Sequence, residues 1–110
     1  MKIAVSTDGG QVSAHFGRCP HYTIFEVAND KIVKKELIPN PGHQPGFLPR
    51  YLGEKGVSCI IAGGMGPRAQ ELFTRNNIQT IVGASGDVDL VIEKFLKGEL
   101  ELGESSCEHY

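Results

Sequence analysis

The chain has 110 residues, 40% of them hydrophobic and 22% charged, with a formal net charge of −2. This is the size and balance of one ordinary globular domain with a core of its own. It excludes the basic footprint of a nucleic-acid binder and the polybasic run of a protein attracted to an anionic membrane. The first residues, Met1–Ser6, are too short for the apolar region of a secretion signal, and no apolar run approaches a membrane span. The expected compartment is therefore the cytoplasm, with neither nucleic acid nor membrane as a partner. The three cysteines, Cys19, Cys59 and Cys107, are an odd number without short even spacing, so a disulfide framework is not expected.

Lys2 to Ser6 reads as a short buried strand, ended by the turn residues Thr7-Asp8-Gly9-Gly10. A loop through Ser13–His21 follows. Tyr22 to Val27 and Lys31 to Ile38 read as strands on either side of an Asn29-Asp30 turn, close enough to form an antiparallel hairpin. Pro39 to Pro45 is a proline-rich loop that also holds His43. A helix follows from about Gly46 to Lys55, with Leu48, Tyr51 and Leu52 on one face, and Gly56 stops it. Val57 to Ala62 is apolar enough to be buried on both faces. Gly63-Gly64-Met65-Gly66 then turns into a helix with Pro67 at its first position and Ala69, Leu72 and Phe73 as its apolar stripe. Ile78 to Val82 is the last strand. Asp87 is a plausible N-cap for a helix carrying Val88, Val91, Ile92, Phe95 and Leu96, stopped by Gly98. The tail from Glu99 is expected to fray. The order β-β-β-α-β-α-β-α predicts a three-layer α/β domain over residues 1–103. Its mixed sheet has about five strands with helices on both faces, and residues 104–110 are a flexible tail.

Ligands in such sheets bind beyond the carboxyl ends of the parallel strands. If the first strand and the Val57–Ala62 strand are parallel neighbours, the Asp8 turn and the Gly63–Gly66 turn share an edge. The loop of His15 and Cys19 starts from that edge. His15, Cys19 and His21 fall within seven positions. Two imidazoles and a thiol suit a soft or borderline metal, an iron–sulfur cluster or a reactive thiol. In an extended backbone Cys19 and His21 would point to one side. The plain alternative is a surface loop anchored by Phe16 and Gly17. The glycine turn exposes backbone N–H groups at a helix N-terminus, where an anion is favoured and Arg68 adds charge, or it serves only to let the chain turn tightly. Cys59, in the middle of an apolar strand, reads as a buried inert thiol.

Ser6-Thr7-Asp8-Gly9-Gly10, His15-Phe16-Gly17-Arg18-Cys19 and Ala62-Gly63-Gly64-Met65-Gly66, followed by Ala69, together resemble the dinitrogenase iron–molybdenum cofactor biosynthesis family. This is the NifX and NifB C-terminal domain type, which includes stand-alone proteins such as the orange protein. The resemblance covers about residues 1 to 100. It implies a ribonuclease H-like fold without nuclease activity, and binding of an iron–sulfur or iron–molybdenum cluster. It implies a role in carriage, storage or assembly without turnover, and a protein that donates or accepts the cluster. The cofactor-binding residues expected on this basis are His15, Phe16, Gly17, Cys19, Gly63, Gly64, Met65 and Gly66, with His15, Cys19 and His21 as metal ligands.

Two readings of other classes stand beside it. One is a zinc- or nucleotide-binding regulatory module, in which Cys107 and His109 repeat the spacing of Cys19 and His21 and complete a Cys2His2 zinc site. The other is an enzyme with Cys19 as nucleophile and a nearby histidine as base. Placed between strand and hairpin, the His15–His21 stretch is pictured as a flexible lip over the glycine turn.

Overall fold

A computed structural model describes residues 1–42 and 47–103. In chain order the elements are β1 (Lys2–Asp8), β2 (Gln11–Val12), β3 (His21–Ala28), β4 (Lys31–Pro39), α1 (Phe47–Glu54), β5 (Val57–Ala62), α2 (Pro67–Arg75), β6 (Gln79–Val82) and α3 (Val88–Lys97). The strands make one six-stranded sheet in the order β4-β3-β1-β5-β6, with β2 paired to β1. The sheet is mixed, as expected. β1 runs parallel to β5, and β5 to β6, while β3 is antiparallel to both β1 and β4. The sixth strand is the addition to the expected five. β2 has two residues, folded back on β1 by the Gly9–Gly10 turn with Asp8 opposite Gln11, and so short a strand leaves no alternating pattern to read.

The layers follow from the alternation of side chains along each strand. Ala4, Tyr22, Ile24, Ile38, Ile60 and Ala62 face one side, where Leu48 and Leu52 of α1 and Phe73 of α2 close the core. Ile3, Val5, Phe25, Val27, Cys59 and Ile61 face the other, where Val88, Val91 and Ile92 of α3 cover them. The β3–β4 hairpin turns on Asn29 and Asp30, both left-handed at φ 54° and 61°, the conformation a two-residue hairpin turn requires. Asp87 caps α3 as expected, its carboxylate accepting from the backbone N–H groups of Asp89 and Leu90. At the other end Gly98 is left-handed.

The chain after α3 departs from the expected frayed tail as far as Gly103. Leu100 packs on the α3-side core, and the Gly103 N–H donates to the Gly83 carbonyl at 2.8 Å. Gly83 has φ +92° and passes so close to Gly103 that a Cβ would sit 2.1 Å from its oxygen. The proposed tail, 104–110, lies outside the described residues. Among the described residues no helix is long and apolar enough to cross a membrane.

Candidate functional site

Because β1, β5 and β6 are parallel, with Val5 beside Ile61 and Ala62 beside Val82, their carboxyl ends open onto one edge. There a row of backbone hydrogen bonds crosses the sheet. The Ser13 N–H donates to Ser6 O at 2.8 Å, Gly63 N–H to Ser13 O at 2.9 Å, and Gly83 N–H to Gly63 O at 3.1 Å. The loop after β2 therefore lies directly on the glycine turn. A Cβ on Gly63 would stand 2.8 Å from Ser13 O and 2.9 Å from the Ala14 Cα. Gly63 is required for this close approach rather than for turning. Its N–H is already given to Ser13, so it is not part of a wall for an anion. Beyond it, Gly66 caps α2 with no side-chain cap, Pro67 follows in the first turn, and no acidic residue lies in that turn. The positive end of the α2 dipole thus faces the edge without a side-chain anion of its own.

The loop is tethered at each residue from Ser13 to Cys19 that bears on the site, so the picture of a flexible lip is replaced by a docked one. The Ser13 hydroxyl donates to His15 O at 3.0 Å and accepts from His15 N–H at 3.2 Å. The Phe16 N–H donates to Gly64 O at 3.1 Å. The Phe16 ring meets Phe73 edge-on, with centroids 5.5 Å apart and planes at 78°. Tyr22 Oη donates to Phe16 O, and Cys19 Sγ donates to the same oxygen at 3.2 Å. From the far side Asn40 Nδ2 donates to Gly17 O at 3.1 Å and Cys19 O at 2.8 Å.

These contacts separate the three residues expected to act together as ligands. His15 is exposed at the edge. Cys19 is 2% exposed and belongs to the core on the α1–α2 face; burial raises its thiol pKa. His21 is half-buried and lines a cleft of about 490 Å³ on the α3 face, with Asp8, Lys35 and Asp89. Cys19 and His21 thus do not point to one side. Strand alternation begins only at His21 and does not reach back across Pro20. Among the described residues no three His, Cys, Asp or Glu side chains converge as a metal site. Cys107 and His109, the second pair of the zinc reading, and His43 lie outside the described residues. Cys59 is buried as expected, and burial pushes its thiol up to about 11. Of the other expected site residues, Gly64 and Met65 are buried, while Phe16, Gly17 and Gly66 are half-buried.

Sequence reasoning missed Ser13, Tyr22 and Asn40 as parts of this edge. Asn40, between two prolines, carried a signal, since asparagine at a turn often bonds nearby backbone. Tyr22 carried another: a tyrosine in a buried strand needs a partner for its hydroxyl.

The family model described as dinitrogenase iron–molybdenum cofactor matches residues 1–98. The chain belongs to this family. Among its relatives is the uncharacterized protein MJ0580 of Methanocaldococcus jannaschii, 36% identical over 106 residues that cover 92% of this chain and 90% of that one. The crystal structure of PH0822 superposes with a TM-score of 0.87 at 27% identity, covering 93% of this chain and 94% of that one. The apo form of the orange protein from Desulfovibrio gigas shares the fold, with a TM-score of 0.78 at 23% identity, covering 94% and 93%. Membership of the dinitrogenase iron–molybdenum cofactor family connects this chain with that cofactor and with an accessory part in its biosynthesis.

Proposed function

We propose that this protein binds, carries or stores a preformed iron–sulfur or molybdenum-containing cluster in the cytoplasm and passes it to or from a partner protein, without turnover of its own. The observation that carries the reading is an exposed His15 on a loop locked over the Gly63–Gly66 turn. The donor set suits a cluster that arrives complete. Cys-ligated clusters assembled on a protein need several thiolates, whereas this edge offers one exposed imidazole beside a helix N-terminus. Such a cluster brings its own sulfide. His15 would supply a nitrogen ligand to iron or molybdenum, and the N-terminal end of α2, with Arg68 exposed in its first turn, would balance negative charge. An exposed attachment point also suits hand-over, since a partner can reach the cargo. The ribonuclease H-like lineage is part of this proposal.

Anaerobic incubation with a preformed, thiol-solubilised iron–sulfide cluster, followed by desalting, tests it. Wild-type protein is expected to acquire visible charge-transfer absorption that remains after desalting, and His15→Ala to lose most of it. A wild-type protein that retains no cluster overturns the proposal.

A further inference from the structure

We propose that Tyr22 and Cys19 are positioning residues. Together they orient the Phe16 peptide and thereby hold His15 at the edge, and Cys19 acts as a hydrogen-bond donor in the loop rather than as a ligand. The inference rests on the reading of His15 given above. It deepens that reading by assigning the thiol next to the site a different task.

The loop is held at one carbonyl in particular. A backbone oxygen has two lone pairs, and at Phe16 two donors take them, the Tyr22 hydroxyl and the Cys19 thiol. Both donors come from the buried side of the loop. Tyr22 is fully buried on β3, opposite Ser6 of β1 and Ile38 of β4. It is therefore as rigid as the sheet. Its hydroxyl reaches out of the core to the loop and transfers the position of the sheet to the peptide that follows Phe16. The Phe16 N–H, bonded to Gly64 O, sets the peptide that precedes it, which is the peptide carrying the His15 carbonyl. The ring against Phe73 removes the remaining rotation. Every polar backbone group of the residue next to His15 is thus tied to β3, to the glycine turn or to the loop itself.

Burial raises the thiol and the phenol alike, which favours the protonated forms that donate. A thiolate at Cys19 would face the Phe16 oxygen and the apolar side chains of the core. To bind a metal at the edge, Cys19 would have to give up this bond and its place among Tyr22, Ile38 and Leu48.

The test uses the full chain and four variants: Tyr22→Phe, Cys19→Ala, Cys19→Ser, and Asp87→Ala as a control for destabilisation on the other face of the sheet. Two readouts are taken, exchange of the Phe16 amide in apo protein and cluster retained after anaerobic incubation with a preformed, thiol-solubilised iron–sulfide cluster. Tyr22→Phe and Cys19→Ala are expected to speed Phe16 exchange about tenfold over the change in global opening and to lower retention several-fold. Cys19→Ser, whose hydroxyl still donates, is expected to stay within about twofold of wild type in both. Loss of the cluster in Cys19→Ser with unchanged Phe16 exchange overturns the proposal in favour of a thiolate ligand. Unchanged Phe16 exchange in Tyr22→Phe overturns it, and so does retention that falls no further than in Asp87→Ala. If wild type binds no cluster, the proposed function fails by itself, and the exchange measurements alone decide whether Tyr22 and Cys19 hold the loop.

Discussion

On the α1–α2 face of the sheet the loop from Ser13 to Cys19 is held by backbone acceptors and by a ring seated against Phe73. On the α3 face, at the same edge, His21 lies in a cleft between the Gly9–Gly10 turn, β4 and the start of α3, spanned by the exposed Lys35–Asp89 ion pair at 2.9 Å. The first region draws its order from the core and from groups that cannot move away. The second is bridged at its surface by long charged side chains in solvent, where an ion pair contributes little and salt weakens it further. Seven residues of sequence, His15 to His21, supply both. Nearness in sequence brought two histidines and a thiol to one edge, and the sheet then divided them between its faces.

The largest break in this comparison is expected from Phe73→Ala. It removes a fully buried ring and should cost about 3–5 kcal/mol in urea unfolding. Because that ring also seats Phe16, the His15 and Phe16 amide signals should shift while those of Lys35 and Asp89 stay. Gly63→Ala comes next. Its Cβ must displace the Ser13 carbonyl or the Ala14 Cα, so a loss of about 1–3 kcal/mol is expected, again confined to the loop side.

Alkali loosens the α3 face through Cys59, and the α1–α2 face through Cys19 and Tyr22, whose pKa values burial also raises. Cys59 sits in the α3-side core with its thiol raised from 9.0 to about 11. A group whose pKa is raised on folding keeps its proton in the native state after the unfolded chain has lost it, so stability falls as pH rises from about 9 to about 11. From Cys59 a loss of about 1–2 kcal/mol is expected across that window, and Cys59→Ala should make the profile shallower by that amount. Asp87→Ala, which deletes the cap of α3, is expected to cost about 1 kcal/mol and to leave the His15 amide unshifted. Movement of the loop signals in this last variant would show that the two regions are coupled through the sheet.

The elements that repeat a periodic pattern are legible in the residues themselves. The apolar runs of β1 and β5, the hairpin around Asn29-Asp30, the stripe of α2 and both ends of α3 stand where the residues place them, because each depends on contacts within a few positions of chain. The parallel relation of β5 and β6 follows from the helix between them, since parallel strands need a crossover.

The candidate site is legible only as a meeting of segments: the loop of His15 and the turn at Gly63 are expected on one edge, and they touch there. What each side chain does at that edge is not legible. Phe16 is fixed by Gly64, Tyr22 and Phe73, which lie up to 57 positions away. Gly63 looks like a turn residue and serves instead as the floor on which Ser13 rests. Cys19 and His21 carry the same chemistry in sequence as any pair of metal ligands. Only the start of β3 between them, with one residue turned into the α1–α2 core and the other into the cleft by α3, decides that they do not work together. Composition, periodicity and turn residues determine the domain and its edge, because those are local properties of the chain. The roles of the thiol and the imidazoles depend on which face of a sheet each one meets, and that exists only once the strands have paired.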